Sequence, residues 1–189
     1  MKVVGINGSA RKDGNTAILI NTVFEELQKE GIETKLIQLA GTGLHGCLGC
    51  RKCAEMKNKT CIIKDELNGY IKELIDADGI ILGSPVYFAD ITSEMKAFID
   101  RVGYVARAND EFLKRKVGAA LTAVRRGGMV HAFDSMNHFF QISQMYIASG
   151  NYWNFGIGGP VGAVLEDAEG MTNMKVLGQN MAHLLKKLQ

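Results

Sequence analysis

The sequence predicts a doubly wound α/β protein, a five-stranded parallel sheet with helices on both faces. Three observations carry this. Short apolar runs alternate with helical patterns from one end of the 189-residue chain to the other. The first, third and fourth runs lack polar alternation, as strands buried on both faces do. The intervening segments carry apolar stripes at helical spacing, which a helix needs to cover a sheet. Repeated strand–helix units of this kind give parallel strands joined by crossovers.

The elements follow in chain order. Val3-Val4-Gly5-Ile6 is the first strand. A helix begins near Asn15 and carries Ile20, Val23, Phe24 and Leu27 at i, i+3, i+4, i+7. Thr34 to Leu39 is the second strand. Leu67, Tyr70, Ile71 and Leu74 repeat the helical spacing, with Asp65 as the N-cap. Gly79 to Leu82 is the third strand, followed by a helix with Met95, Phe98, Ile99 and Val102 that Thr92 or Ser93 caps. Val117 to Val124 is the fourth strand. A helix is expected from about Val130 to Ala148, then a weaker fifth strand from Tyr152 to Ile157. Met181, Leu184, Leu185 and Leu188 mark the last helix. No repeat, low-complexity tract or linker interrupts the chain, so residues 1–189 read as one domain with a cysteine-rich loop at 45–63. Five strands favour the flavodoxin-like order 2-1-3-4-5. Ligands of such sheets sit at the carboxyl ends of the strands, where the order reverses between strands one and three. The loops after Asn7, Gly83 and Val124 are therefore the ones that matter.

Composition excludes several function classes. A hydrophobic content of 47% and a charged content of 22% are ordinary for a globular protein. A net charge of +2 gives no drive toward nucleic acid. Aromatic residues at 7% are too sparse for a base-stacking surface. No apolar run approaches the roughly 20 residues that span a membrane, and the N-terminus reads as a strand rather than a signal peptide. The expected location is the cytoplasm. Clustered cysteines there serve metal or redox chemistry more often than structural disulfides.

The first loop reads Asn7-Gly8-Ser9-Ala10-Arg11-Lys12-Asp13-Gly14-Asn15-Thr16. A phosphate at the start of the following helix would meet unpaired N–H groups and the positive end of the dipole. Gly8 lets the backbone approach, Ser9, Asn15 and Thr16 offer polar groups, and Arg11 can clamp phosphate oxygens. The dinucleotide pattern G-x-G-x-x-G and the G-x-x-x-x-G-K-[ST] loop are both absent, which argues for a mononucleotide. The plainer reading is a turn whose Asn and Thr only cap a helix. The second loop, Gly83-Ser84-Pro85-Val86-Tyr87-Phe88-Ala89-Asp90, puts Tyr87 and Phe88 beside the switch point, where a flat heterocycle wants aromatic surface. Core packing is the alternative for both aromatics.

All four cysteines fall in one short stretch, Cys47-x2-Cys50-x2-Cys53-x7-Cys61. The C-x2-C-x2-C core lets three thiolates reach three corners of one iron–sulfur cube. Four readings stand side by side: a [4Fe–4S] cluster on all four thiolates, a zinc site, a Cys50–Cys53 redox pair with thiol pKa values lowered by Arg51 and Lys52, and thiols that simply pack. His131, Asp134 and His138, at i, i+3, i+7 on one helix, could share a metal or belong to an interface. Phe139, Phe140 and Tyr146 on that helix read as core or subunit contact. Arg125 and Arg126 could attract a dinucleotide phosphate or pair with surface carboxylates.

Gly8-Ser9-x-Arg11-x-x-Gly14-Asn15-Thr16, then Gly83-Ser84-Pro85-Val86-Tyr87, then Lys96-x-x-x-Asp100-Arg101 together resemble the NADPH-dependent FMN reductase branch of the flavodoxin-like flavoproteins. The cysteine spacing narrows the resemblance to the iron–sulfur flavoproteins and their WrbA-like relatives, with the gap of seven before Cys61 at the long end of the pattern. The resemblance runs from Lys2 to Leu188. It implies that Ser9, Arg11, Asn15 and Thr16 hold the FMN phosphate. It implies that Pro85, Val86, Tyr87 and Phe88 line the isoalloxazine ring, with Val124, Arg125 and Gly127 completing the pocket. Cys47, Cys50, Cys53 and Cys61 would hold a [4Fe–4S] cluster. The activity implied is an FMN-binding oxidoreductase that passes electrons from NAD(P)H or a reduced carrier to a quinone or other acceptor. The alternative is an electron carrier between redox proteins, linked to a ferredoxin-like partner. A homodimer or homotetramer is expected. No catalytic side chain is expected beyond those holding the flavin, and Tyr87 is placed to gate the ring.

Overall fold

The structure, a computed structural model, describes residues 1–188; Gln189, the last residue of the expected domain, lies outside the described residues. Its middle layer is a parallel sheet of β1 (Lys2–Asn7), β2 (Glu33–Gln38), β3 (Gly79–Pro85), β4 (Val117–Val124), β5 (Tyr146–Ile147) and β6 (Phe155–Ile157). The order is β2-β1-β3-β4-β5, with β6 also pairing with β4, and every ladder is parallel. This is the flavodoxin-like order read from the sequence. The hydrophobic runs explain it. All eight positions of β4 are buried, whereas β2, an edge strand, alternates exposed and half-buried positions along most of its length.

Helices cover both faces. Helices α1 (Asn15–Lys29) and α6 (Ala168–Lys187) pack on one face, around Leu19, Ile20, Val23, Leu177 and Met181. Helices α3 (Leu67–Asp76), α4 (Ser93–Ala108) and α5 (Met129–Ile142) pack on the other, around Leu67, Ile71, Phe98, Val102 and Phe140. Each such side chain contributes roughly 1.5–3 kcal/mol by burial. Of the two residues offered as cap for α4, Thr92 is the one, its Oγ1 accepting from Met95 N at 3.2 Å. Asp65 accepts from Leu67 N at 3.2 Å at the start of α3.

Two elements differ from the sequence reading. The expected fifth strand, Tyr152 to Ile157, is not continuous. Its place beside β4 is shared by β5, opposite Val117 and Gly118, and β6, opposite Thr122 to Val124. Asn154 bridges the gap: its carbonyl accepts from Thr122 N at 2.9 Å and its Nδ2 donates to Ala120 O at 3.0 Å. Asn173 of α6 holds the bulging segment by accepting from Asn151 N at 2.8 Å. The helix expected from Val130 to Ala148 ends at Ile142, because Gln144 takes a left-handed conformation, φ 57°, and turns the chain into β5. Tyr146 therefore lies on the exposed β5 rather than on the helix. A short helix, α2 (Lys52–Met56), lies inside the cysteine loop.

Candidate functional site

The carboxyl ends of β1 and β3 meet at Asn7 and Gly83, and three loops converge there. The first loop is shaped by its own polar groups. Asn7 Oδ1 accepts from Ser9 N at 3.0 Å, Asn7 Nδ2 donates to Gln38 Oε1 at 2.7 Å, and Gln38 Nε2 donates to Ser9 O at 2.6 Å. Gly8 is required by close approach. A Cβ there would come within 3.0 Å of Met95 Cβ and 3.1 Å of Thr92 Oγ1, and Thr92 Oγ1 donates to Gly8 O at 2.8 Å. The cap of α4 is thus also the brace of the first loop.

Between the loops lies a pocket of about 200 Å³, walled by Ser9, Arg11, Asn15 and Thr16 on one side and by Pro85, Val86, Tyr87, Ala123, Arg125 and Gly158-Gly159 on the other. Its chemistry suits an anion. Thr16 is 1% exposed and its hydroxyl has no hydrogen-bond partner among the described residues. Helix α1 starts with no side-chain cap, which leaves its first N–H groups free for a ligand. Arg11 and Arg125 make no ion pair among the described residues.

Not every expected contact points into this pocket. The Asn15 amide is fully engaged elsewhere: Nδ2 donates to Gly158 O and Pro160 O, both at 2.9 Å, and Oδ1 accepts from Gly162 N at 2.8 Å. Asn15 fastens the 158–162 loop over the start of α1 rather than facing a phosphate. Val124 and Gly127 are not in the pocket wall. Phe88 is fully exposed at the tip of a tight turn closed by Tyr87 N to Asp90 O at 2.8 Å and Asp90 N to Tyr87 O at 3.0 Å. Both central residues are left-handed, Phe88 at φ 48° and Ala89 at φ 66°, a conformation that costs an L-residue about 1–2 kcal/mol. Asp90 anchors the turn to α5. It accepts from Ser135 Oγ at 2.7 Å and lies 3.5 Å from His131 Nε2. Burial works to raise the Asp90 carboxyl, and the Ser135, Ile91 and His131 contacts outweigh it, holding its pKa below the ordinary value. Gly128, at φ 88°, faces the same turn, and a Cβ there would meet Ala89 Cα at 2.7 Å.

The cysteine loop packs against α4. Cys47, Cys50, Cys53 and Cys61 are all free thiols and line one cavity of about 150 Å³ together with Arg101, Tyr104 and Val105. Among the described residues no three His, Cys, Asp or Glu side chains gather as a single metal ion requires, and His131, Asp134 and His138 form no such site. A four-iron cube is larger than one ion and holds its thiolates apart on its corners. All four cysteines border one cavity, the number of thiolates such a cube takes. Burial pushes the Cys53 thiol up, against the lowered pKa expected from its basic neighbours; Lys52 is paired with Glu55 at 2.6 Å.

Three side chains order this loop: Asn68 and Asn109, which the sequence reading did not name, and Arg101, which it named only as part of a motif. Asn68 accepts from Cys61 N at 2.8 Å and donates to Cys61 O at 3.0 Å. Asn109 accepts from Lys59 N at 2.8 Å and donates to Cys53 O at 3.3 Å. Arg101, 1% exposed, donates to Asp65 Oδ2 at 2.5 Å, Asp65 Oδ1 at 2.9 Å and His45 O at 3.3 Å. Burial opposes the Arg101 charge, but Asp65 and Cys61 more than offset it and hold its pKa above the ordinary value. Asp65 is the converse: burial raises it, and the Arg101 hydrogen bonds and charge bring it below its ordinary value.

Beside the cysteine cavity a groove of about 790 Å³ runs between α4 and α5, with Ile99, Gly103, Tyr104, Phe139 and Ile142 along it and Arg51, Lys96 and Arg107 around it. Cys53 faces both spaces. Among the described residues no helix is long and apolar enough to cross a membrane.

Comparison with known proteins agrees with this geometry. The NADPH-dependent FMN reductase family matches residues 1–159. An iron-sulfur flavoprotein of Methanocaldococcus jannaschii is 35% identical over 201 aligned positions, covering 100% of both chains. The iron-sulfur flavoprotein of Methanosarcina thermophila is 30% identical over 191 positions, covering 100% of this chain and 97% of that one. Among solved structures, a flavodoxin, WrbA-like protein of Agrobacterium tumefaciens superimposes with a TM-score of 0.71 at 15% identity, over 100% of this chain and 98% of that one, a likeness of fold. The chain belongs to the NADPH-dependent FMN reductase family, and its full-length relatives are iron-sulfur flavoproteins.

Proposed function

We propose that this protein binds FMN at the β1/β3 switch point and a [4Fe–4S] cluster on Cys47, Cys50, Cys53 and Cys61, and passes electrons from NAD(P)H or a reduced carrier protein to a quinone or other acceptor. The observation that carries the flavin part is the buried hydroxyl of Thr16, which has no partner among the described residues, in a pocket wall that also holds Arg11 and Arg125. When bound, FMN supplies hydride and single-electron chemistry and the cluster supplies single-electron transfer. The chain supplies position. Ser9, Thr16 and the first N–H groups of α1 receive the phosphate, Arg11 and Arg125 neutralise it, and Pro85, Val86 and Tyr87 form the wall toward the ring. Tyr87, half-exposed at the mouth of that wall, gates access. No side chain near the ring wall is assigned a proton-transfer role.

A second reading, an electron carrier between redox proteins, is favoured by the groove between α4 and α5. Arg51 and Arg107 on its rim, where Lys96 is paired with Asp100, and the shared Cys53 offer a docking face beside the cysteine cavity. On either reading the protein works in the cytoplasm as a homodimer or homotetramer. Steady-state oxidation of NAD(P)H with a quinone supports the enzyme; rapid electron exchange with a ferredoxin in the absence of NAD(P)H turnover supports the carrier.

A further inference from the structure

We propose that Arg101 is a positioning residue for the cysteine centre: its buried side chain, part of the wall of the four-cysteine cavity, stabilises the negative charge added when the centre is reduced. This rests on reading the four cysteines as ligands of an iron–sulfur cluster.

Arg101 is the largest of the fully buried side chains. A guanidinium carries five N–H donors and cannot shed its charge. Three of the four N–H bonds on Nη1 and Nη2 are taken by Asp65 and the His45 carbonyl. Its Nε is buried and has no partner among the described residues. An unmet donor on a buried cation is costly, and the same side chain forms part of the wall that holds all four cysteines. The ion pair with Asp65 explains how α4 is tied to the loop. It does not explain an Nε–H left without a partner on a side chain that lines the four-cysteine cavity, and a buried ion pair brings little net stability over apolar packing.

The neighbouring charges leave Arg101 as the dominant cation. Lys52 is paired with Glu55, and its charge lies in solvent. Arg51 also borders the cavity but is exposed, so water and salt screen it. Asp65 lies behind the guanidinium and partly offsets it. Reduction adds one electron, delivered by a reduced carrier protein, and neither forms nor breaks a bond. The potential of such a centre is set by net charge, hydrogen bonds to sulfur and exposure. A buried cation with a free N–H acts on the first two, in the direction of a higher potential.

The test uses full-length protein, purified and reconstituted without oxygen, as wild type, Arg101→Met, Arg101→Lys and Asp65→Asn. Iron, sulfide and FMN are measured first, then the cluster midpoint potential by a dithionite titration followed by electron paramagnetic resonance. Arg101→Met is expected to keep FMN and iron, with reduction at least tenfold less favourable, about 59 mV for a one-electron couple. Arg101→Lys is expected to recover most of that loss. Asp65→Asn keeps the guanidinium, removes its opposing charge and is expected to raise the potential. An unchanged potential in Arg101→Met, or equal losses in the Met and Lys variants, would overturn the inference. If Arg101→Met takes up no iron, Asp65→Asn decides, and the absence of a rise overturns it. Iron-free wild type would overturn the cluster reading itself; iron-loaded protein with a potential indifferent to Arg101 would overturn this inference alone.

Discussion

Thr16→Val should move stability and flavin affinity in opposite directions. The replacement exchanges a hydroxyl for a methyl of similar size at a position that is 1% exposed. The hydroxyl is buried without a partner among the described residues, which costs about 1–3 kcal/mol of desolvation. Removing it should stabilise the flavin-free protein by about 1 kcal/mol or more. For a chain of this size that raises Tm by about 2–4 °C per kcal/mol. Helix propensity does not intervene, because threonine and valine rank alike. A bound phosphate makes the hydroxyl a donor to a charged acceptor, worth about 1.5–3 kcal/mol. Its loss weakens FMN binding by roughly 10- to 150-fold. Flavin-free protein is melted with and without the substitution, and Kd is read from quenching of FMN fluorescence. A lower Tm with an unchanged Kd would refute the argument, since it would mean that the hydroxyl serves the fold and not the ligand.

Three further perturbations follow from the same geometry. Asp65→Ala leaves Arg101 buried without its carboxylate and should cost about 3–5 kcal/mol in urea unfolding; a loss below about 1 kcal/mol would show the pair to be solvated. Because the folded Asp65 carboxyl lies below its ordinary 3.8, the pair's contribution is fully present above that value and is lost as pH falls through the folded pKa, so wild type and Asp65→Ala should converge in stability below about pH 3.8. Phe88→Gly relieves a left-handed phenylalanine that buries nothing and should stabilise the fold by about 1 kcal/mol; destabilisation would mean that the ring has a packing partner within the chain. Asn15→Ala removes three hydrogen bonds to the 158–162 loop and should cost about 2 kcal/mol while weakening FMN binding, and an unchanged urea midpoint would contradict its role as a clasp.

The parts of the fold legible in the sequence are those where one signal dominates. Strands β1, β3 and β4 announce themselves as unbroken apolar runs because both faces are covered, and α1, α3, α4 and α6 as apolar stripes. The first loop and the cysteine spacing stand out in the sequence because their polar groups and thiols are close together along the chain. What was not readable depends on distant partners. Tyr152 and Trp153 have strand-like composition, yet Asn173 of α6 holds their segment off the sheet and Asn154 ties it back to β4 by its side chain. The apolar pattern of α5 continues past Ile142, and only the left-handed Gln144 shows where the helix stops. Asn15 looks like a phosphate ligand from its neighbours, but its partners lie 143 to 147 residues away. Asp65 reads as a helix cap because its arginine is 36 residues further on. The presence of Arg101 in the Lys96-x-x-x-Asp100-Arg101 motif was a signal, though not one that revealed what the guanidinium faces.

The measurement that bears most directly on the account is iron and acid-labile sulfide per FMN in protein purified without oxygen. About four of each per flavin, with iron lost in Cys50→Ala and FMN retained, is the predicted result. Stoichiometric FMN in protein that never takes up iron would contradict it, and would leave the four thiols without the centre their shared cavity is read to hold.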